Sequence, residues 1–316
     1  ASQLKYSGSV NTPINILKKD VIGAVAAPAD TLSIVSISGV PAGDQWSDAG
    51  DHYIFMAPSA GTVSLNYTVA TNKGDSVGST ISIVISPIAN ATGTYYACAN
   101  GKLYALSADN QTVLNVVNTT FLGGALFLND LAINSAGEMY GKDLNNGLYR
   151  INVATGEASL VASVIPGTTG YLQGLTFLPD GTLATFQSGA LISFNMQTMQ
   201  SKVLQSTSYD MVGGDLKYLP DGNIYWTVSN ATSQKCASNS SGTQALVRFN
   251  PSTMQMVEVG CLNQPQVYGL GFASGTVYGF TGSGNVLKIN TSTANATIAA
   301  SPGFQFWGAA SNPALW

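Results

Sequence analysis

Apolar and polar positions keep two different rhythms along this chain. In residues 1 to 88 they alternate: Val63-Ser-Leu-Asn-Tyr-Thr-Val is apolar at 63, 65, 67 and 69, and Ile81-Ser-Ile-Val-Ile repeats the pattern. A period of two marks a strand with one face on a core. Further strands are expected at 12 to 17, 32 to 38 and 52 to 56, separated by Pro, Gly and Asp clusters such as Pro41-Ala-Gly-Asp. Six or seven short strands in so little chain predict a β-sandwich.

From Gly93 onward the rhythm is a long repeat. One phrase is written five times: Leu103-Tyr-Ala-Leu-Ser, Leu148-Tyr-Arg-Ile-Asn, Leu191-Ile-Ser-Phe-Asn, Leu246-Val-Arg-Phe-Asn and Val286-Leu-Lys-Ile-Asn, at steps of 45, 43, 55 and 40 residues. Upstream of each phrase a Gly opens an apolar run, at Gly93, Gly137, Gly181, Gly222 and Gly275. That period predicts a propeller. Each repeat divides into an inner strand, a second strand opening at the Gly, the phrase as the third, and an outer strand. Polar turns such as Pro179-Asp-Gly and Pro220-Asp-Gly join the first two strands. The inner strand recurs at Asp130, Gly174, Asp215, Gly269 and Gly308. Its fifth copy follows the last full repeat, while residues 93 to 118 lack one. The C-terminal strand is therefore expected to complete the first blade, which removes the sheet edges that an open array exposes. Residues 87 to 93 read as a short linker.

These patterns carry two resemblances. The segments Asn11-Thr-Pro-Ile-Asn-Ile-Leu-Lys-Lys-Asp-Val, Thr31-Leu-Ser-Ile-Val, Gly61-Thr-Val-Ser-Leu-Asn-Tyr-Thr-Val and Ser79-Thr-Ile-Ser-Ile-Val-Ile resemble the bacterial Ig-like, cadherin-like modules of large surface adhesins. Those modules often hold calcium on a run of Asp after the first strand. Here Ile22-Gly-Ala-Val-Ala-Ala-Pro stands in that place, flanked by Asp20 and Asp30 alone, so calcium is not carried over. Residues 93 to 316 resemble secreted bacterial propellers of the NHL and YncE-like type, a likeness that implies a fold and no particular activity. The expected architecture is all-β: an Ig-like β-sandwich over 1 to 88 and a five-bladed β-propeller over 89 to 316, closed by the C-terminal strand.

Composition narrows the function. Charged residues are 9% of the chain, against about 25% in a typical soluble protein. Ser, Thr, Asn, Gln and Gly must then provide solubility, a balance more usual outside the cell. The net charge is -4 and the 12 Lys and Arg are scattered, so nucleic acid is not an expected partner. No apolar stretch approaches the ~20 residues of a membrane-spanning helix, and the chain opens Ala-Ser-Gln without a charged, apolar leader, as a mature secreted product would. An extracellular or cell-surface location is expected.

Cys98, Cys236 and Cys261, with no Cys-x-x-Cys and the single His52, do not make a zinc site. The fourth repeat is stretched by residues 229 to 243, a loop leaving the same face as the connection carrying Cys261. Cys236 to Cys261 is the expected disulfide; Cys98 is then the unpaired thiol, although it lies near enough to that face to compete. Asn-x-Ser/Thr occurs at Asn66, Asn90, Asn110, Asn118, Asn230, Asn239, Asn290 and Asn295, either as glycosylation sites or as ordinary polar surface.

Propeller chemistry is usually found where the inner strands begin. There stand Asn129, Gln173, Gly214, Tyr268 and Trp307, with Asp130 and Asp215 one step on. Amides and aromatic rings around a channel mouth suit a sugar, whose ring faces stack while amides bridge hydroxyls. The expected ligand-binding set is Asn129, Asp130, Gln173, Asp215, Tyr268 and Trp307; the competing reading is that these groups pack the blades. A glycosidase needs an acid opposite a base or nucleophile. Asp130, Asp215 and Asp210 alone could reach the mouth, and no Glu is well placed. A cation between Asp130 and Asp215 is the third reading. No glycine-rich loop precedes a helix, so no cofactor is expected.

The function expected from these features is that of a noncatalytic adhesin-like module binding a glycan or a surface protein. Otherwise it is a subunit of a surface filament, self-associating through a free strand at residues 1 to 10. The alternative from another class is a propeller glycoside hydrolase or lyase.

Overall fold

The computed structural model describes residues 1–10, 13–25, 31–87, 89–109, 112–210, 214–229, 232–236 and 242–316. Two compact units emerge: Ala1–Ala89 with Phe121–Gly124 and Glu157–Val161, and Asn90–Thr120, Ala125–Gly156 and Ala162–Trp316.

Among the described residues, Ala1–Ala89 hold seven strands: β1 (Leu4–Ser9), β2 (Ile14–Leu17), β3 (Leu32–Ser38), β4 (Gln45–Asp48), β5 (His52–Met56), β6 (Gly61–Thr71) and β7 (Ser76–Ser86). They form a sheet in the order β1-β7-β6-β3 and a second in the order β2-β5-β4. Alternation is realised as the sequence predicts: Leu65, Tyr67 and Val69 of β6 and Ile81, Ile83 and Ile85 of β7 are buried, and they join Ile14, Ile16 and Phe55 of the other sheet in one core. A single turn and a half of helix, α1 (Lys18–Gly23), follows β2, and it buries Val21.

Residues 4–9 are not a free arm. They form β1, paired in parallel with β7 from Leu4↔Ile81 to Ser9↔Ser86, and Tyr6 lies in the core. The Tyr67 hydroxyl donates to the Ser2 carbonyl at 2.6 Å. The strand-forming pattern that suggested pairing with a neighbour is satisfied within the chain's own sheet, where an apolar face was available to cover.

Five four-stranded antiparallel sheets follow. The first contains β8 (Tyr95–Ala99), β9 (Lys102–Leu106) and β10 (Val113–Asn118), and a short ladder of β11 (Thr120–Phe121) and β12 (Gly124–Ala125) leads out of it. The second is β13 (Leu128–Ile133), β14 (Met139–Asp143), β15 (Leu148–Ile151) and β16 (Ala158–Ala162). The third is β17 (Gln173–Phe177), β18 (Leu183–Gln187), β19 (Ala190–Asn195) and β20 (Gln200–Ser206). The fourth is β21 (Leu216–Tyr218), β22 (Ile224–Ser229), β23 (Thr243–Asn250) and β24 (Gln255–Pro265). The fifth is β25 (Val267–Ala273), β26 (Thr276–Thr281), β27 (Val286–Ile289) and β28 (Ala296–Ala300). The repeated phrase falls on the third strand every time.

The C-terminal strand β29 (Gly308–Ser311) completes the first sheet, pairing with β8 from Gly308↔Cys98 to Ser311↔Tyr95, so that the order is β10-β9-β8-β29. Second strands such as β8 and β18 are buried along their whole length, which explains why they read as continuous apolar runs. Both faces are covered by neighbouring sheets: Phe186 and Leu191 of the third pack with Trp226 and Val247 of the fourth, and Phe280 of the fifth packs with Tyr95 and Ala309 of the first. The first strands are neighbours in the cyclic order β29, β13, β17, β21, β25 and back to β29.

Close approach of these first strands leaves no room for a side chain at two of their positions. A Cβ on Gly308 would lie 2.6 Å from Asp130 Cα, and one on Gly269 would lie 2.7 Å from the Ala309 nitrogen. No side chain fits there.

Candidate functional site

The polypeptide ahead of and within the first strands surrounds a cavity of about 280 Å³, lined by Asn129, Asp130, Lys142, Leu144, Tyr171, Gln173, Gly174, Gly214, Tyr268 and Trp307. Five of the six expected ligand-binding residues therefore meet in one place. Asp215, the sixth, does not line it.

The reason lies in how Asp215 is used. The residue is fully buried, and its carboxylate accepts from the backbone N–H groups of Leu216 at 2.6 Å, Leu270 at 2.6 Å and Leu175 at 3.4 Å. It thus ties β17, β21 and β25 together. Burial raises its pKa to about 6, against the lowering influence of Lys217 and of those backbone donors. Asp130 holds the equivalent position on β13 and accepts from its own Leu131 N–H at 2.7 Å. It is 2% exposed, and burial, then the nearby Asp215 charge, push its carboxyl well above the usual range, while Lys142 pulls the other way.

Two residues that the sequence reading passed over build the floor and rim. Lys142 of β14 is 0% exposed, and its Nζ donates to Asn129 Oδ1 at 3.0 Å and to the Leu172 carbonyl at 2.7 Å. The ammonium lies 4.9 Å from the centre of the Tyr171 ring. Burial lowers its pKa to about 8, against the raising influence of Asp130. A lysine inside the otherwise apolar Met139-Tyr-Gly-Lys was the available signal, because a charge on a strand covered on both faces needs a partner.

Tyr171 comes from the loop between β16 and β17, and nothing in its sequence marks it except that loop's length. Asn146 fixes the loop end: its Nδ2 donates to the Gly170 carbonyl at 2.6 Å, and its Oδ1 accepts from the Leu172 N–H at 3.0 Å. The Tyr171 hydroxyl accepts from Asn129 Nδ2. The rim is thus supplied by this loop, and the lining includes no described residue of the 229–243 insertion.

That insertion is anchored elsewhere. Cys236 and Cys261 form the expected disulfide, with Cα atoms 5.2 Å apart. Cys98 is free and buried, and its thiol is pushed up by burial first and by Asp130 second. Glu258 of β24 accepts from Ser233 Oγ at 2.5 Å, Lys235 N–H at 2.8 Å, Gln234 N–H at 3.0 Å and Tyr209 Oη at 3.1 Å. Burial alone would raise its pKa, but these hydrogen bonds together outweigh that effect and hold it below the ordinary value.

Of the Asn-x-Ser/Thr positions, Asn66, Asn118, Asn290 and Asn295 are exposed. Asn90 is half-buried and donates to the Ala136 carbonyl at 3.2 Å. Asn110, Asn230 and Asn239 lie outside the described residues. Among the described residues, no group of three or more His, Cys, Asp and Glu could hold a metal ion, and no helix is long and apolar enough to cross a membrane.

No family model and no curated protein matches the chain. Solved structures give distant, partial likenesses to β-propeller-like proteins and to extracellular proteins. One is the nidogen/laminin complex, at 16% identity over 70% of this chain and 82% of the other, with a TM-score of 0.49. A protein of unknown function from Bacteroides thetaiotaomicron matches at 12% identity over 90% of this chain and 93% of the other, with a TM-score of 0.45. PorZ, a bacterial surface component of the type-IX secretion system of Porphyromonas gingivalis, matches at 14% identity over 77% of this chain and 40% of the other, with a TM-score of 0.36.

Proposed function

We propose that the chain is a noncatalytic extracellular or cell-surface binding protein. In this reading an Ig-like sandwich over residues 1 to 88 carries a five-bladed propeller over 89 to 316, which takes its ligand at the mouth of the ring. The carrying observation is that a single cavity collects residues from the openings of all five first strands: Asn129, Gln173, Gly214, Tyr268 and Trp307. Such a convergent concavity, with the aromatic rings of Tyr171, Tyr268 and Trp307 among a few polar groups, is where small ligands are usually held. The propeller reading is supported by the cyclic order of the first strands and by the pairing of β29 with β8. The low charge content of the chain supports an extracellular setting.

Binding is favoured over hydrolysis by the fate of the carboxylates. Glycoside hydrolysis requires two carboxyl groups flanking the scissile bond. Asp215 has its oxygens turned to three backbone N–H groups and away from the cavity, which leaves Asp130 without an opposite partner there.

The test pairs a glycan array with a panel of chromogenic glycosides and soluble polysaccharides, using the whole chain. Binding without turnover is expected. Turnover that disappears in Asp130→Asn would overturn the noncatalytic reading.

A further inference from the structure

The chemistry of the cavity wall specifies its ligand further, on the assumption that the mouth is the binding surface. The two formal charges at the floor are withdrawn from contact. Lys142 is 0% exposed and gives two of its three N–H donors to Asn129 Oδ1 and the Leu172 carbonyl, with the ammonium beside the Tyr171 ring; Asp130 is 2% exposed and accepts from Leu131 N–H. Both are almost wholly covered, so an entering molecule meets little of either group. Asn129 is also committed, through its oxygen to Lys142 and its nitrogen to Tyr171.

What remains for a ligand is uncharged. The walls are the rings of Tyr171, Tyr268 and Trp307, with Leu144 beside them. Tyr171 accepts from Asn129, so its own hydroxyl proton is left to donate. Among the described residues the Gln173 side-chain amide makes no hydrogen bond, and its oxygen is buried without a partner. A buried amide oxygen in that condition costs free energy until something pairs with it. Rotation about its last torsion presents either a donor or an acceptor to the cavity.

We infer that the cavity takes one neutral pyranose ring, a terminal hexose of an uncharged glycan. Its apolar face stacks on the aromatic walls and its hydroxyls pair with the Gln173 amide and the Tyr171 hydroxyl. A pyranose matches all three properties of the wall: flat apolar faces, groups that donate and accept at once, and no charge. A carboxylated sugar would have to surrender its hydration without reaching the buried ammonium. At about 280 Å³ the space lies at the small end of ligand cavities, which suits a single ring.

The test titrates the whole chain with methyl glucoside, methyl galactoside, methyl mannoside and methyl glucuronide, each to about 20 mM, the range that millimolar affinity requires. Ligand-observed magnetic resonance follows binding, and a tyrosine-containing peptide serves as the competing class. At least one neutral glycoside is expected to bind. Gln173→Leu is expected to weaken it about tenfold while leaving the melting temperature unchanged or raised, because the substitution removes a buried oxygen that has no partner among the described residues. Trp307→Ala is expected to weaken it at least about tenfold.

Preferential binding of the glucuronide or of the peptide, sensitive to Trp307→Ala, would overturn the neutral sugar while leaving the mouth as the site. Glycoside binding that neither variant alters would overturn the mouth reading itself. Absence of binding by all four glycosides would overturn the inference.

Discussion

Equivalent positions ahead of or within two first strands, β13 and β21, carry Asp130 and Asp215, yet the two carboxylates meet different surroundings. Asp215 stands where three leucine N–H groups, of residues 175, 216 and 270, point at one spot, and its fully buried carboxylate answers them. Asp215→Asn replaces one acceptor oxygen with a donor that faces another N–H. The expected loss is about 1–3 kcal/mol, measured by denaturant unfolding at neutral pH. The folded pKa of about 6 lies above the ordinary 3.8, so the fold holds this proton more tightly than the unfolded chain does. Its contribution to stability is therefore fully present below about pH 4 and lost as pH rises through 6. A pH series of melting temperatures should show this decline in the wild type, with that component missing in Asp215→Asn.

Among the elements, the long connection between β22 and β23 depends on two separate fastenings. The Cys236–Cys261 bridge has a sequence separation of 25, for which the chain-entropy model gives about 3 kcal/mol. Glu258 supplies the other, gathering Ser233, Gln234, Lys235 and Tyr209 onto one carboxylate. Cys236→Ser with Cys261→Ser is expected to lower stability by about that amount and to leave glycoside affinity unchanged, since neither residue lines the cavity. Calorimetry and the binding titration read the two effects apart; lost affinity with an intact fold would show that this connection reaches the site. The Glu258 pKa is depressed, so its fastening holds above the ordinary carboxylate range and is lost as pH falls through the folded value.

At the scale of the whole molecule, the last strand completes the first sheet, and the proposed ring would close through it. β29 fills the open side of β8, and Phe306 just before it is fully buried with Phe280 and Tyr95. Deleting residues 306–316 would expose the β8 edge and a slot lined by aromatic rings, both invitations to pair with another chain. The expected outcome is aggregation or a melting transition lowered by many degrees, followed by light scattering and calorimetry. A monomer with an unchanged transition would refute closure by this strand.

The repeat alone determined the number of four-stranded antiparallel sheets from Gly93 onward, the place of the phrase on each third strand and the role of residues 308–311, because each of these sheets solves the same packing problem with nearly the same spacing. Alternation determined the buried faces of β6 and β7 for the same local reason. Spacing also collected Asn129, Asp130, Gln173, Tyr268 and Trp307 into one cavity, since corresponding positions of a repeat face a common centre. Only the tertiary structure decided what each residue does there. Whether a carboxylate is open or consumed depends on N–H groups contributed by Leu175 and Leu270, about 40 and 55 residues away from Asp215. Lys142 and Tyr171 belong to the site because a strand and a loop from different parts of the second sheet and its exit meet over it. The pairing of residues 4–9 with β7 likewise rests on a contact more than seventy residues along the chain, which no local pattern records.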